Sequence, residues 1–555
     1  MVRQAILFAA VLVTSAGAFA QEFDILIRNG HIVDGTGSPW YAGDVAIRAG
    51  RISGIGVFDK ARAKRVIDAR GLIVAPGFID MLGQSEFSIL ANAHLPSKIF
   101  QGITTEITGE GNSVAPVTPE LFRSDYQPVL KHYGSTARWS TFREYFEQLQ
   151  HQGMGINLAS YVGATQVRRV VIGDSDRAPT SAELDRMRSL VREAMEQGAI
   201  GLSSALQYAP APYAKTEELI ALAREAAVAG GIYASHMRSE GDAIDQALDE
   251  SFRIGREAGI PVEIWHLKAA GKKNWGRMPE IVSRIEAARA SGVDVEADTY
   301  AYTAWFNSFS AFVPPWVHDG GDAKMVARLK DPSVRARVRK QMVEQSEGWD
   351  NEWQEIPGPE AILVSVVTNR KLLPLQGKTI AQIAKDQNKD PIDTIFDLLI
   401  DDPGMSVAVS GMSEPDVALA LKQPWVSVDN DSQGTSPEGI LASEHPHPRA
   451  YGTFPRILRK YVREEKLLTL QDAIRKFSAL PAQRMRLADR GVLKQGMWAD
   501  VVVFDSEAIR DVATFEKPNQ LSVGMRWVLV NGVPVIADGK MTNELPGKVL
   551  RHETR

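Results

Sequence analysis

The chain contains no cysteine among its 555 residues, which removes several chemistries at once. Disulfides, thiolate zinc sites, iron–sulfur clusters and thiol nucleophiles are all excluded, so any metal must rest on His, Asp or Glu. Long blocks of one charge are missing as well. The 63 basic and 68 acidic side chains give a formal net charge of -5, and a mixed, slightly acidic chain argues against nucleic-acid or membrane-surface partners. No apolar run reaches the ~20 residues that a spanning helix needs. The nearest is Ala5 to Val13, which follows Arg3 and leads into Ala18-Phe19-Ala20. That order reads as a secretory signal peptide over residues 1–20, with an exported mature chain, periplasmic or secreted, from about Gln21 and no stable membrane insertion after cleavage. What is present, 44% hydrophobic and 24% charged residues, describes a globular protein with a large core. Such a core can be stable outside the cell without disulfides.

From Phe23 to Leu72 short Ile/Val-rich strands alternate with the turn dipeptides Asn29-Gly30, Asp34-Gly35, Ala49-Gly50 and Arg70-Gly71. The same texture returns at Ala499–Asp505 and Trp527–Val533, so residues 21–72 and 487–555 are expected to form one small β-sandwich from both chain ends. Between them, apolar strand-like runs alternate with amphipathic helical stretches, the pattern of a parallel sheet wrapped by helices. Eight runs stand out: Ile73–Asp80, Ile103–Thr108, Ile156–Val162, Ala199–Leu206, Ile232–His236, Val262–Lys268, Val293–Tyr300 and Trp425–Asp431. Thr180 and Glu183 form a capping-box pair before one of the helices. Eight such units imply an α/β fold of the (β/α)8 TIM-like barrel type over residues 73–305 and 425–486. The gap before the eighth strand is too long for a connector and predicts an inserted subdomain at residues 306–424. An open doubly wound sheet is the alternative.

In such a barrel, functional side chains project from the carboxyl ends of the strands. The ends here carry Asp80, Glu110, His236, His266, Lys268 and Asp431. A single histidine there would read as a hydrogen-bonded core residue. His236 and His266 end consecutive strands, and strands ~4.8 Å apart place two imidazoles within reach of one metal. Asp431 has two readings, a proton acceptor for water or a turn-forming residue beside Asp429, Asn430 and Ser432. Lys268, two residues beyond His266, is expected on the same face of an extended strand.

Several segments resemble the amidohydrolase superfamily and, within it, the D-aminoacylase group of N-acyl-D-amino-acid deacylases. They are Val74–Asp80, Gly102–Thr105, Ser235–Asp242, His266–Lys268 continuing to Asn274-Trp275-Gly276, His447-Pro448-Arg449, Gly452–Arg456 and Gly496–Asp500, which together span nearly the whole mature chain. The resemblance implies the same barrel, sandwich and insertion. It also exposes departures. The family's His-x-His pair after the first strand is replaced by Leu82 and Gln84, its second-strand cysteine ligand is absent, and the fourth strand has no lysine to carbamylate. A one-residue gap brings Glu110 onto the cysteine position. Where the family has a histidine after Val162-Gly163, this chain has Ala164-Thr165.

The resemblance therefore implies one Zn2+ per chain on Glu110, His236 and His266, lowering the pKa of a bound water toward ~7, with Asp431 as general base and acid in amide hydrolysis. It implies a small-molecule substrate with a carboxylate, held by Lys268, Arg449 and Tyr208 with Tyr300 or Tyr302. Arg449 has a second reading as a structural clamp. Two rival functions are hydrolysis of another exported amide, such as a cyclic amide or dipeptide, and non-catalytic binding. The sequence leaves the oligomeric state open.

Overall fold

The computed structural model describes residues 22–344 and 348–552, so the expected signal peptide lies outside the described residues. Both chain ends build one nine-stranded sheet. Its seam runs where Ile73–Pro76 pairs antiparallel with Val501–Phe504, placing Val74 opposite Val503. Of the expected turn dipeptides, Asn29-Gly30 does not turn the chain: it lies within the strand Glu22–Ile32, where the pairing with Tyr41–Arg48 shifts register. Ala49-Gly50 (φ 51° and 77°) and Asn531-Gly532 (φ 49° and 79°) both adopt left-handed conformations that match the twist of the strands they join. Alternate residues of these strands, including Ile25, Ile27, Val45, Ile47, Val501 and Val503, bury a core of their own.

The run Ile73–Asp80 proves to be two strands. Ile73–Pro76 belongs to the terminal sheet and Phe78–Asp80 to the barrel. Pro76 has no N–H for a ladder, and Gly77 passes so close to the barrel that an added Cβ would lie 2.2 Å from Thr104 Oγ1. The chain therefore crosses from one sheet to the other at Pro76-Gly77.

The barrel strands are buried on both faces, as a helix-wrapped parallel sheet requires. Phe78–Asp80, Ile103–Thr108 and Asn157–Ser160 pair in parallel. Val162–Gly163 continues the third strand into a second parallel sheet with Gly201–Ala205, Ile232–His236, Val262–Ile264, Val295–Thr299 and Val426–Val428. Hydrogen bonds from Met81 N–H to the Val428 carbonyl (3.4 Å) and from Gln84 N–H to the Ser432 carbonyl (3.2 Å) tie the first strand to the last. The helix after Thr180, Ser181–Glu196, begins with the expected reciprocal capping box to Glu183.

Two strands end earlier than their apolar runs. The sixth stops at Ile264 and the eighth at Val428. His266 (φ 38°) and Asp431 (φ 44°) are then in the left-handed region, outside any ladder. The His266 N–H is held instead by Asp298 Oδ1 (2.6 Å) and the Asp431 N–H by the Leu82 carbonyl (2.9 Å). The segment from His266 to Lys268 is therefore not an extended strand, which corrects the reason given for their shared face.

The insertion forms a three-stranded antiparallel sheet of Ala304–Ser308, Ile362–Val366 and Ser406–Ser410, packed with helices including Asp322–Leu329 and Pro391–Asp401. Its first strand and the short helix Glu352–Glu355 border the barrel mouth and contribute Trp305, Phe306, Asn307 and Glu355 to the cavity there. Among the described residues no helix is long and apolar enough to cross a membrane.

Candidate metal centre and substrate cavity

Glu110 is presented by a turn whose flanking Gly109 (φ 97°) and Gly111 (φ 62°) adopt conformations costly for other residues. The turn places Glu110 Oε1 3.0 Å from His236 Nδ1 and 3.6 Å from His266 Nε2. These three side chains are the only group of His, Asp or Glu donors among the described residues whose ligand atoms all lie within 4.8 Å of one another. One carboxylate and two imidazoles suit zinc.

The outer nitrogens of both histidines are held. His236 Nε2 lies 2.8 Å from Gln207 Oε1, so it carries the proton and donates, leaving Nδ1 free to ligate. His266 Nδ1 lies 2.8 Å from Glu240 Oε1 and 2.7 Å from Lys268 Nζ. Ligation through Nε2 requires the tautomer with a proton on Nδ1, and that proton can go only to Glu240. Lys268 then donates to the same carboxylate, 2.8 Å from each oxygen.

The charges show what the cluster needs. Burial and the Lys268 ammonium oppose protonation of His266, yet Glu240, Asp431 and Glu110 outweigh them and push its pKa up to about 10. Burial alone would raise Glu110 and Glu240, but the neighbouring histidines, with Lys268 for Glu240, hold both carboxyls well below the usual range. Anionic ligands thus retain a proton where a cation would otherwise sit, which fits a metal ion.

Asp431 faces the same centre. Gln84 Nε2 donates to Glu110 Oε2 (2.8 Å) and Asp431 Oδ1 (3.0 Å), linking an expected ligand to the expected base. Burial raises the Asp431 pKa, opposed by Arg449 and His266. Arg449 Nη2 lies 2.9 Å from Asp431 Oδ2 with the guanidinium over the Tyr300 ring, 4.6 Å from its centroid.

A cavity of about 220 Å³ opens over these groups, lined by Gln84, Glu110, Tyr208, His236, His266, Lys268 and Asp431 from the barrel. Tyr208 packs beside His236, with ring centroids 4.9 Å apart. Arg449, fully buried, stands behind Asp431 rather than on the cavity wall, and Tyr300 lies beneath both Arg449 and Lys268. Tyr302 is placed elsewhere. Its hydroxyl donates to the Pro448 carbonyl (3.4 Å) and its ring packs on His447 and Arg456. Asp80 is also spent structurally, bound to the buried Lys98 ammonium at 2.7 Å together with Asn430 and the Ser432 carbonyl.

Sequence reading missed Glu240, Gln207 and the acids of the insertion. Glu240 had a visible signal, since it follows His236 by four residues inside the Ser235–Asp242 segment. Asp350 and Glu355 had none, because they lie in the expected insertion, away from the strand ends that carry a barrel's functional groups.

Fold and site define an α/β barrel whose strand ends bring together Glu110, His236 and His266, a group that could hold a metal ion. The chain belongs to the amidohydrolase family, whose model matches residues 65–536. It is 35% identical to a D-aminoacylase of Alcaligenes xylosoxydans xylosoxydans over 534 residues, covering 96% of this chain and 98% of that one. Its fold matches N-acyl-D-glutamate deacylase of Bordetella bronchiseptica, solved with zinc and a phosphonate mimic of the tetrahedral intermediate, with TM-score 0.79, 32% identity and coverage of 96% and 100%. It also matches a D-aminoacylase described as having a binuclear centre with one-metal activation and second-metal attenuation, with TM-score 0.78, 33% identity and coverage of 95% and 100%.

Proposed function

We propose that this chain hydrolyses the amide of an N-acyl-D-amino acid with a single zinc ion on Glu110, His236 and His266. One observation carries the reading: Asp431 is tethered through Gln84 to the same carboxylate that completes the donor cluster. Leu82 offers no donor atom, and the Gln84 amide nitrogen is engaged with two carboxylates, which supports one metal rather than two. Zinc in such a site supplies a Lewis acid for the scissile carbonyl and acidity for water.

The protein's own groups do the rest. Asp431 takes a proton from the attacking water at Oδ1 or Oδ2 and returns it to the departing amine as the C–N bond breaks, giving a carboxylate and a free amino acid. Arg449 opposes the effect of burial on Asp431 and so favours the ionised carboxylate that the first half of that exchange needs. Tyr208, whose side chain lines the cavity, can donate to the substrate carboxylate. The relatives' names support the D-configured, acylated substrate. The apolar amino-terminal run supports export before action.

Metal analysis and a substrate screen test this. One zinc per chain is expected, lost in Glu110→Ala and His236→Ala, while Asp431→Asn keeps the metal and loses turnover. Two tight metals per chain, or no turnover of any N-acyl-D-amino acid by the zinc-loaded protein, would overturn it.

A further inference from the structure

The cavity holds more acid than this chemistry uses. Five carboxyl groups line it, from Glu110, Glu240, Asp350, Glu355 and Asp431, against the single ammonium of Lys268. Glu110 and Asp431 serve metal binding and proton transfer, and Glu240 is saturated by His266 and Lys268. Asp350 Oδ1 accepts from Ser239 Oγ (2.5 Å) and Oδ2 from the Glu240 N–H (2.8 Å).

Glu355 stands apart. It is only 4% exposed, it lines the cavity, and among the described residues its carboxylate has no hydrogen-bond or ion-pair partner. Burial, and then the neighbouring carboxyl groups of Asp350, Glu352, Asp242 and Glu240, push its pKa well above the usual range, so a nearby cation is what would favour its charged form. The backbone makes room for it. A Cβ on Gly241 would lie 1.8 Å from Glu355 Oε1, and one on Gly271 would lie 2.9 Å from Glu355 Cβ. Glycines from two barrel loops therefore admit a buried carboxylate that satisfies nothing in the protein. A group so placed costs several kcal/mol when charged and unpaired, so a ligand of opposite charge gains by pairing it.

A metal ion is not that ligand, because these acids do not converge as the zinc donors do. Trp305 and Phe306 line the same cavity, and aromatic rings beside carboxylates suit an organic cation. We propose that Glu355 and Asp350 form a cation subsite, so that the amide cleaved here carries an ammonium or guanidinium group. This rests on the hydrolase reading above and specifies its substrate class. The cation can sit on the amino-acid side chain or on the acyl group, and the test separates the two.

The zinc-loaded full chain is assayed with N-acetyl-D-lysine, N-acetyl-D-norleucine as its neutral counterpart, N-acetyl-D-glutamate, and glycyl-D-norleucine, whose acyl group bears the ammonium. One basic substrate should exceed N-acetyl-D-norleucine in kcat/KM by about tenfold or more, the range of a charge-assisted hydrogen bond. Glu355→Gln and, separately, Asp350→Asn should erase most of that ratio. Calorimetric binding of the same compounds to zinc-loaded Asp431→Asn should show the same order without turnover. Equal kcat/KM for basic and neutral substrates, or equal losses for both in Glu355→Gln, overturns the subsite while leaving the hydrolase standing. Preferential binding of the basic compounds that Glu355→Gln abolishes, without hydrolysis by the wild type, upholds the subsite and overturns the reaction.

Discussion

Glu240 does two things that can be measured apart, and Glu240→Gln separates them. Its carboxylate receives the His266 Nδ1 proton at 2.8 Å and the Lys268 ammonium at 2.8 Å. The amide keeps the shape and an acceptor oxygen but loses the charge that selects the ligating tautomer and raises imidazole basicity. Partners of this kind are worth about 10–100-fold in metal affinity, or about 1.4–2.7 kcal/mol. The second effect falls on Lys268, 2% exposed, which loses the one carboxylate that lies at hydrogen-bond distance among the described residues. Breaking a buried pair costs about 3–5 kcal/mol. Unfolding entropy of about 2 cal/mol/K per residue then gives a melting shift of about 3–4 °C for this chain. Zinc affinity by chelator competition and melting by calorimetry read the two terms. Lys268→Met supplies the contrast, because removing a cation that competes for Nδ1 leaves zinc affinity unchanged or increased. The reasoning is refuted if Glu240→Gln binds zinc within threefold of wild type, or if Lys268→Met loses as much affinity as Glu240→Gln.

Arg449→Met removes the cation that holds the Asp431 carboxyl down against burial. Because Asp431 must be ionised to act as base, the acid limb of kcat/KM should move to higher pH; an unmoved limb means Arg449 does not tune it. Asp350 has its pKa pushed up to about 7, by burial first and then by Glu240 and Asp242, against the hydrogen bonds from Ser239 and the Glu240 N–H. Its carboxyl loses its proton as pH rises through that value, so affinity for a basic ligand should strengthen from pH 6 to 8, while a neutral ligand shows no such trend by calorimetry. Lys98→Met strands the buried Asp80 and Glu106 carboxylates, 2.7 and 3.3 Å from Nζ, and should cost about 3–5 kcal/mol in denaturant unfolding; a loss below 1 kcal/mol would show that the network relaxes.

Much of the architecture is written in local pattern. The strand-like runs before His236 and after Gly102, the Ala49-Gly50 turn and the Thr180–Glu183 box depend on neighbours in the chain, and each forms where its residues predict. The errors have a common cause. Ile73–Asp80 and Val262–Lys268 each read as one strand-like run, but Pro76-Gly77 must pass between two sheets and His266 must leave its ladder for Asp298, and neither demand shows in periodicity. Tyr302 shares its neighbourhood in sequence with Tyr300, yet the turn between them sends one ring under Arg449 and the other onto His447.

By itself, then, the sequence determined the chemistry on offer: without cysteine, only nitrogen and oxygen donors remain, and two histidines at consecutive strand ends mark where they meet. It also determined that the His-x-His positions are Leu82 and Gln84. Only the tertiary structure decided what surrounds them. That Gln84 bridges Glu110 to Asp431, that Glu240 selects the His266 tautomer, and that Glu355 lies unpaired in the cavity are contacts between segments tens to hundreds of residues apart. Local propensity carries no information about them, because burial and the approach of distant charges set the energy of a carboxylate, not its neighbours in the chain.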